Sequence, residues 1–318
     1  MQERILDFLK RKQGYVSGDQ ISQRLGITRQ ALWKHIQALK DSGYDIVAVP
    51  HLGYKLISSP DRLFPAEVSW NLNTRFIGRE IRYFDSIPST MDLATELGIQ
   101  GLPEGTLVVA EAQTKGRGRL GRIWFSPKYK GIYLSLILRP KISPTHGPLL
   151  TLLSAVSICE AINTVVGLDA RIKWPNDILI QQKKIGGILT ELSAEMDEIR
   201  FVILGIGMNV NNDKKTLPAQ ATSLKEQKKE VINRIELLQE LLRRIEMNYL
   251  IFQKKGNESI VDKWRRYSLT LGKRVRIISH REHIEGEALD IDSDGGLLLR
   301  GDSGLIQKVM AGDVVHCR

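Results

Sequence analysis

Gly116-Arg117-Gly118-Arg119-Leu120-Gly121-Arg122 interleaves three guanidinium groups with three glycines. Such a loop can wrap a phosphate or carboxylate, because glycine lets backbone amides approach closely and arginine offers a bidentate fork. An anionic ligand is therefore expected to order residues 115–130. The same residues satisfy G-x-G-x-x-G, but a dinucleotide site needs a helix opening straight after the glycines. Ile123-Trp124-Phe125-Ser126-Pro127, with Gly131 beyond, is not helical, and Lys141 stands where a ribose-binding acid belongs. That reading fails, and no Walker A sequence occurs. Taken alone, the loop equally fits a basic surface segment or a nucleic-acid contact.

A second segment, Lys173-Trp174-Pro175-Asn176-Asp177, is followed by Lys184-Ile185-Gly186-Gly187-Ile188-Leu189. Pro175 ends a strand, Asn176 and Asp177 are displayed at the turn, and a hairpin can return Lys184 to the same cleft. Gly186-Gly187 permits close approach of a ligand. By itself Trp-Pro-Asn-Asp is also simply a good turn, and Ser89, which opens a helix with Thr90, is also a good cap. His280 and His283 stand at helix-like spacing in a strand-rich tail, so they read as a solvated turn rather than a metal site. Lys225–Glu230 reads as a solvated charge run.

Three regions must position these residues. Residues 1–60 read as a winged helix-turn-helix. Ile5, Leu6, Phe8 and Leu9 stripe a first helix ended by Gly14. Ser17 begins a capping box with Gln20, and the second helix runs to Leu25. Gly26-Ile27 makes a tight turn, and Thr28 caps a third helix. That helix buries Ala31, Leu32, Ile36 and Leu39 and turns Arg29, Gln30, Trp33, Lys34, Gln37 and Lys40 outward. Asp45–Val49 and Tyr54–Ile57 form the wing. Amide and guanidinium donors on the outward face suit DNA base edges, although a protein-docking module with a basic face has the same pattern.

After the break at Ser58-Ser59-Pro60, residues 61–268 alternate strands and helices as an α+β domain with a mixed sheet. The expected strands are Ile81–Phe84, Thr106–Ala110, Ile132–Leu138, Ala170–Lys173, Ile178–Ile180, Ile185–Leu192 and Phe201–Ile206. The expected helices are Ser89–Leu97, Leu149–Val166 and Val231–Phe252. Residues 269–318 carry four short strands between Gly/Asp/Ser turns, a small β-barrel.

The 318 residues suffice for two or three domains, and 42% hydrophobic with 26% charged is an ordinary globular composition. No run approaches 18 consecutive apolar residues, and Met1–Gln13 is charged throughout, so neither a membrane span nor a secretion signal is expected. Two cysteines, Cys159 and Cys317, are too few for a disulfide framework and fit a reducing cytoplasm. A net charge of +10 suits a polyanionic partner without specifying which.

Together, Ser89-Thr90, Gln113, the GRGRLGR loop, KWPND, KIGGIL and Gly205-Ile206-Gly207-Met208-Asn209-Val210 closely resemble the bifunctional biotin protein ligases and biotin operon repressors, the BirA family. The resemblance covers essentially the whole chain. It implies a class II synthetase-like central domain and an SH3-like C-terminal barrel. It also implies a cytoplasmic enzyme that joins biotin to ATP, with Mg2+ on the nucleotide. Biotinyl-5′-AMP then passes its acyl group to a lysine of a biotin carboxyl carrier protein.

On matching positions, Ser89, Thr90, Gln113, Gly116, Arg117, Arg119, Trp124, Lys184 and Gly187 would meet biotin. Arg117, Arg119, Arg122, Lys173, Asn176 and Asn209 would meet the nucleotide, Lys173 and Asn209 having structural readings as well. Lys184 and Arg119 would offset the repulsion between carboxylate and phosphate. Asp177 would assist proton loss from the incoming lysine, whose ordinary pKa is about 10.4. Arg29, Gln30, Trp33, Lys34 and Gln37 would meet operator DNA, with a homodimer promoted by biotinyl-5′-AMP. Neither a protein-bound metal nor a membrane partner is expected. A lipoate ligase, and a regulator that senses ligand without catalysis, are the alternatives; the first would lack the DNA-binding unit, and Lys184 and Arg119 argue against the second.

Overall fold

In the computed structural model, which describes residues 1–12, 14–196, 198–278 and 283–316, the chain divides into two units, Met1–Asn71 and Leu72–Arg318. His280 and Cys317 lie outside the described residues.

In the first unit, α1 (Gln2–Arg11), α2 (Gly18–Leu25) and α3 (Arg29–Asp41) precede a hairpin of β1 (Asp45–Val49) and β2 (Gly53–Ser58) and a short α4 (Pro65–Val68). Ser17 Oγ accepts from Asp19 N, Thr28 Oγ1 accepts from Ala31 N, and Gly26 ends α2 at φ 67°. Each helix end thus satisfies amides its own turn leaves free. Ile5, Leu6, Leu9, Ile21, Leu32, Ile36 and Leu39 share one core, against which Phe64 and Ala66 also pack. The unit therefore continues past the Ser58-Ser59-Pro60 break. Val16 pairs with Tyr54 through two backbone bonds of 2.8 and 2.9 Å, adding a third segment to the wing. Gly53 (φ 104°) makes that possible, since a Cβ there would lie 2.0 Å from Val16 O.

The second unit begins with β3 (Ile81–Phe84), α5 (Thr90–Ile99), β4 (Leu107–Ala110), β5 (Ile132–Leu138) and α6 (Gly147–Val166). There follow β6 (Arg171–Lys173), β7 (Asp177–Ile180), β8 (Lys183–Glu195), β9 (Glu198–Met208), α7 (Leu224–Lys228), α8 (Arg234–Lys255) and α9 (Glu258–Tyr267). The seven strands form one sheet in the order β3-β4-β5-β9-β8-β7-β6, parallel only between β3 and β4. It is the mixed sheet of an α+β domain. The segment Pro144–Val166 has the length and mean hydropathy, 1.8, of a membrane span, yet α6 packs on the sheet, α8 and α9 as a core helix.

The tail, β10 (Arg274–Ile278), β11 (His283–Ile291), β12 (Leu297–Arg300), β13 (Ile306–Val309) and β14 (Asp313–His316), is a five-stranded antiparallel sheet in the order β13-β12-β11-β10-β14. It docks through Trp174, fully buried, whose N donates to Thr270 Oγ1 at 3.0 Å and whose Nε1 donates to Gly295 O at 3.2 Å. The tryptophan of KWPND is thus an anchor between catalytic and C-terminal sheets, and it fixes the start of the Asn176-Asp177 turn.

Candidate active site

A cavity of about 350 Å³ opens over the middle of the seven-stranded sheet, within the size range of small-molecule sites. Its polar end is built by α5 and the segment after β4. Thr90 donates from N and Oγ1 to Gln113 Oε1 at 2.9 and 3.0 Å, and Ser135 Oγ donates to Thr90 Oγ1 at 2.9 Å. Gln113 Nε2 donates to Ser126 Oγ at 3.0 Å, so one amide is clamped from both sides. Ser126, two residues after Trp124, was not expected here. Ser89 serves as the cap of α5, its Oγ accepting from Asp92 N at 3.3 Å, and is not among the cavity walls.

Trp124 forms the wall between the two ends. A Cβ on Gly207 would lie 2.5 Å from its indole, and one on Gly187 3.1 Å, so the two glycines are the floor on which the ring rests. Gly116 lies outside the cavity lining. Its carbonyl accepts from Trp124 N at 2.8 Å, and a Cβ there would meet Trp124 O at 2.5 Å. Its absent side chain lets the loop close on itself and aim Trp124.

The far end collects cations. Lys184 Nζ stands 5.5 Å from the Trp124 ring centre and 2.6 Å from Asp177 Oδ1. Arg119 donates from Nη1 to Asn176 Oδ1 at 2.8 Å and from Nη2 to Gly312 O at 3.4 Å. Asn176 is itself fixed by donating from Nδ2 to Ile188 O at 2.8 Å. Burial draws the pKa of Arg119 below its ordinary value against the pull of Asp313 and Asp177, but a guanidinium remains charged at any physiological pH. Arg122 pairs with Asp313.

Arg117 lines the cavity but is held by Asp92 at 2.8 Å and by both oxygens of Glu191 at 2.9 and 3.2 Å. Burial opposes its charge, and the Glu191 and then Asp92 carboxylates outweigh that and raise its pKa. The loop arginines are thus engaged by the chain's own carboxylates, whereas the expectation was of a loop ordered only by a ligand.

Asn209, nearly buried, lines the cavity and ties Nδ2 to Thr222 O at 3.2 Å, which supports its structural reading. Lys173, half-buried on edge strand β6, is not among the cavity walls. Sequence reasoning missed the segment 217–221: Leu217, Pro218, Gln220 and Ala221 close one side. Backbone bonds of 2.9 Å from Lys184 N to Gln220 O and from Thr222 N to Lys184 O hold it there. It also missed Asp313, because β14 was not expected.

In the first unit, α3 presents Gln30 and Lys34 exposed and Trp33 54% exposed, with Gln37 partly covered. Arg29 is exposed but forked onto both oxygens of Asp19 from α2.

Among the described residues no group of three or more His, Cys, Asp or Glu could hold a metal ion.

Residues 83–209 match the biotin/lipoate A/B protein ligase family, residues 1–55 an HTH domain, and residues 270–317 the biotin protein ligase C-terminal domain. The bifunctional ligase/repressor BirA of Bacillus spizizenii is 43% identical over 304 residues, covering 94% of this chain and 93% of that protein. The bifunctional ligase/repressor BirA of Escherichia coli K12 is 30% identical over 300 residues, covering 94% and 92%. Among solved structures, the biotin protein ligase of Aquifex aeolicus in complex with biotin and ATP is similar at 31% identity and a TM-score of 0.65, over 76% of this chain and 99% of that one.

Proposed function

The chain belongs to the BirA family of bifunctional biotin ligases and repressors, and from that premise we propose that its cavity makes biotinyl-5′-AMP and hands the biotinyl group to a carrier-protein lysine. The observation that carries this is the polarity of the cavity: a clamped amide at one end, an indole on glycines in the middle, and three cations at the other.

Thr90 and Gln113, whose amide Ser126 holds in place, suit the ureido head of biotin, and Trp124 its apolar body. The carboxylate then points toward Lys184, Arg119 and Arg122. In the first step a carboxylate oxygen attacks the α-phosphorus of ATP, which enters as its Mg2+ complex; the bond to the β-phosphate oxygen breaks and pyrophosphate leaves. Lys184 and Arg119 are preorganised against that developing charge by Asp177 and Asn176. In the second step the carrier amine attacks the acyl carbon and AMP leaves. Asp177, already bound to Lys184, can exchange that partner for the incoming ammonium and accept its proton.

The partners are a biotin carboxyl carrier protein and operator DNA, both of which put the work of the protein in the cytoplasm. Gln30, Trp33 and Lys34 meet the major groove, with Gln37 at its edge and Arg29 available once it leaves Asp19. One winged helix has a small footprint, so repression uses a two-fold dimer on a two-fold site, promoted by biotinyl-5′-AMP.

The test is incubation with ATP and either biotin or lipoate, reading acid-labile acyl-adenylate and pyrophosphate before adding a carrier domain. Adenylate with biotin alone supports the reading; adenylate with lipoate, or none with either, overturns it. Sedimentation with and without a non-hydrolysable adenylate analogue tests the dimer, and equal association in both samples would remove ligand-linked assembly.

A further inference from the structure

The site holds its cations in pairs with the chain's own carboxylates, and one of those carboxylates comes from outside the catalytic sheet. Asp313 begins β14, the edge strand of the C-terminal sheet. It reaches back 191 residues along the sequence to bind Arg122 and lines the cavity itself. Its neighbour Gly312 gives its carbonyl to Arg119 at 3.4 Å, and the Asp313 carboxylate stands 4.0 Å from the same guanidinium. Two loop arginines therefore converge on one short stretch of the C-terminal domain.

Gly312 is suited to that contact. At φ 152° it bends the chain into β14, and a Cβ there would strike Ile277 at 2.4 Å. The C-terminal sheet in turn is pinned to the catalytic domain by Trp174, one residue before Pro175 and two before Asn176. So Asn176 and Gly312, the two acceptors on Arg119, are fixed relative to one another by the same buried anchor.

The paired carboxylates differ in how easily an anion could displace them. Arg117 has two, both from the catalytic domain. Lys184 and Asp177 are adjacent on the β7–β8 hairpin. Arg122, 65% exposed against 42% for Arg117 and 35% for Lys184, is the cation of the three most open to an incoming anion, and Asp313 is its carboxylate partner.

We propose that Asp313 is a positioning residue for the reaction, the resident counter-ion that gives up Arg122 when the polyphosphate enters and takes it back as pyrophosphate departs. This rests on the adenylation reading above. Without a carboxylate at 313 the leaving pyrophosphate keeps Arg122, and product release slows. With it, each release step is an exchange of one anion for another, and the loop is drawn onto the C-terminal domain while the adenylate still waits for its lysine. The C-terminal sheet thereby acquires a task in the chemistry, supplying the group that competes with the product.

The experiment uses the full chain and inorganic pyrophosphate, titrated calorimetrically with biotin titrated in parallel as the check on the remainder of the site. Asp313→Asn is expected to bind pyrophosphate about tenfold more tightly, with biotin affinity unchanged. In turnover, pyrophosphate should inhibit the variant at about tenfold lower concentration, with kcat falling more than the KM for ATP changes. Asp313→Glu should restore near wild-type values. In an Arg122→Gln background, Asp313→Asn should have a much smaller effect on pyrophosphate, that of relieving Arg119 at 4.0 Å. Equal or weaker pyrophosphate binding by Asp313→Asn overturns the proposal, as does the same increase in the Arg122→Gln background. If Asp313→Asn fails to fold, hydrogen exchange on the wild-type chain decides: pyrophosphate should raise exchange at residues 312–314, and unchanged exchange there overturns it. Since binding is read without turnover, a chain that made no adenylate at all would sink the functional reading separately.

Discussion

Replacing Gly207 by alanine asks whether Trp124 is the wall of the ligand site or a bystander. Position 207 lies on β9 between Tyr133 of β5 and Gly187 of β8, so its backbone is held on both sides. Its backbone is not in the left-handed region, and alanine there removes unfolded-chain entropy, which stabilises by about 0.4–1 kcal/mol. Against that, the new methyl lies 2.5 Å from Trp124 Cε2 and Nε1 and 2.9 Å from Cζ2. Ordinary carbon contacts are about 3.5–4.0 Å, so the indole must retreat by roughly 1 Å or more.

Overpacking of this kind costs about 1–3 kcal/mol where nothing can yield. Trp124 can yield: it is only partly buried, and its Nε1 has no hydrogen-bond partner among the described residues. Stability should therefore change by less than about 1 kcal/mol, while the ring moves into the cavity volume. Biotin affinity should fall at least about tenfold, which is ~1.4 kcal/mol. Calorimetric titration of biotin, with thermal unfolding on the same samples, reads both quantities. In a Trp124→Ala background the Gly207→Ala change should have little further effect on affinity. Unchanged biotin binding, or an equal loss without the tryptophan, would refute the reasoning.

Lys184→Ala should lower the rate of adenylation by more than about 10²-fold, the scale for one preorganised electrostatic donor, and near-normal pyrophosphate release would count against its role. Arg119→Gly removes the bonds to both Asn176 and Gly312, so biotinyl-5′-AMP should escape faster and label lysines of bystander proteins; an unchanged dissociation rate of the intermediate would contradict this. Alanine at Gln30 or Lys34 should weaken operator binding and leave ligation intact, with Lys34 also flattening the salt dependence if it meets phosphate. Equal losses in ligation would mean the two units do not act separately.

What was legible in the sequence is what local rules determine. Ser17 and Thr28 cap helices whose apolar periodicity is complete within a few turns, and Ile132–Leu138 has the expected bounds because a nearly unbroken apolar run marks a strand buried along its whole length. Four elements escaped: α4 and α7, of four and five residues, the second overlapping the Lys225–Glu230 charge run, and α9 and β14. The apolar positions of α9, Ile260, Val261 and Trp264, are set among Asp262, Lys263, Arg265 and Arg266, and the segment follows a Gly256 break. β14 is four residues long and, among the described residues, pairs with β10 alone, near the other end of the domain in sequence. Of the site, Thr90, Gln113, Trp124, Asn176, Asp177 and Lys184 do converge. The reassignment of Ser89 to a cap, and of Gly116 to loop closure, depends on which way neighbouring groups face, and no spacing rule contains that.

The same limit explains why the sequence shows the arginine loop as cations without their partners. Counting cations along the chain shows Arg117, Arg119, Arg122 and Lys184 near one another and suggests a strongly positive cleft. Their partners Glu191 and Asp313 come from distant sequence, and only the sheet order and the docking of the C-terminal strands bring them in. A bare cluster of four cations would repel itself by an amount that grows as the cleft dries. Carboxylates placed beside them remove that cost in the resting protein, and they also lower the attraction for any passing anion. An anion that binds must replace these pairs with contacts at least as good, which favours a ligand whose charges match several of the cations at once over a single phosphate or carboxylate. Selectivity for a polyphosphate held against a carboxylate then follows from the geometry of the displaced pairs rather than from net positive charge.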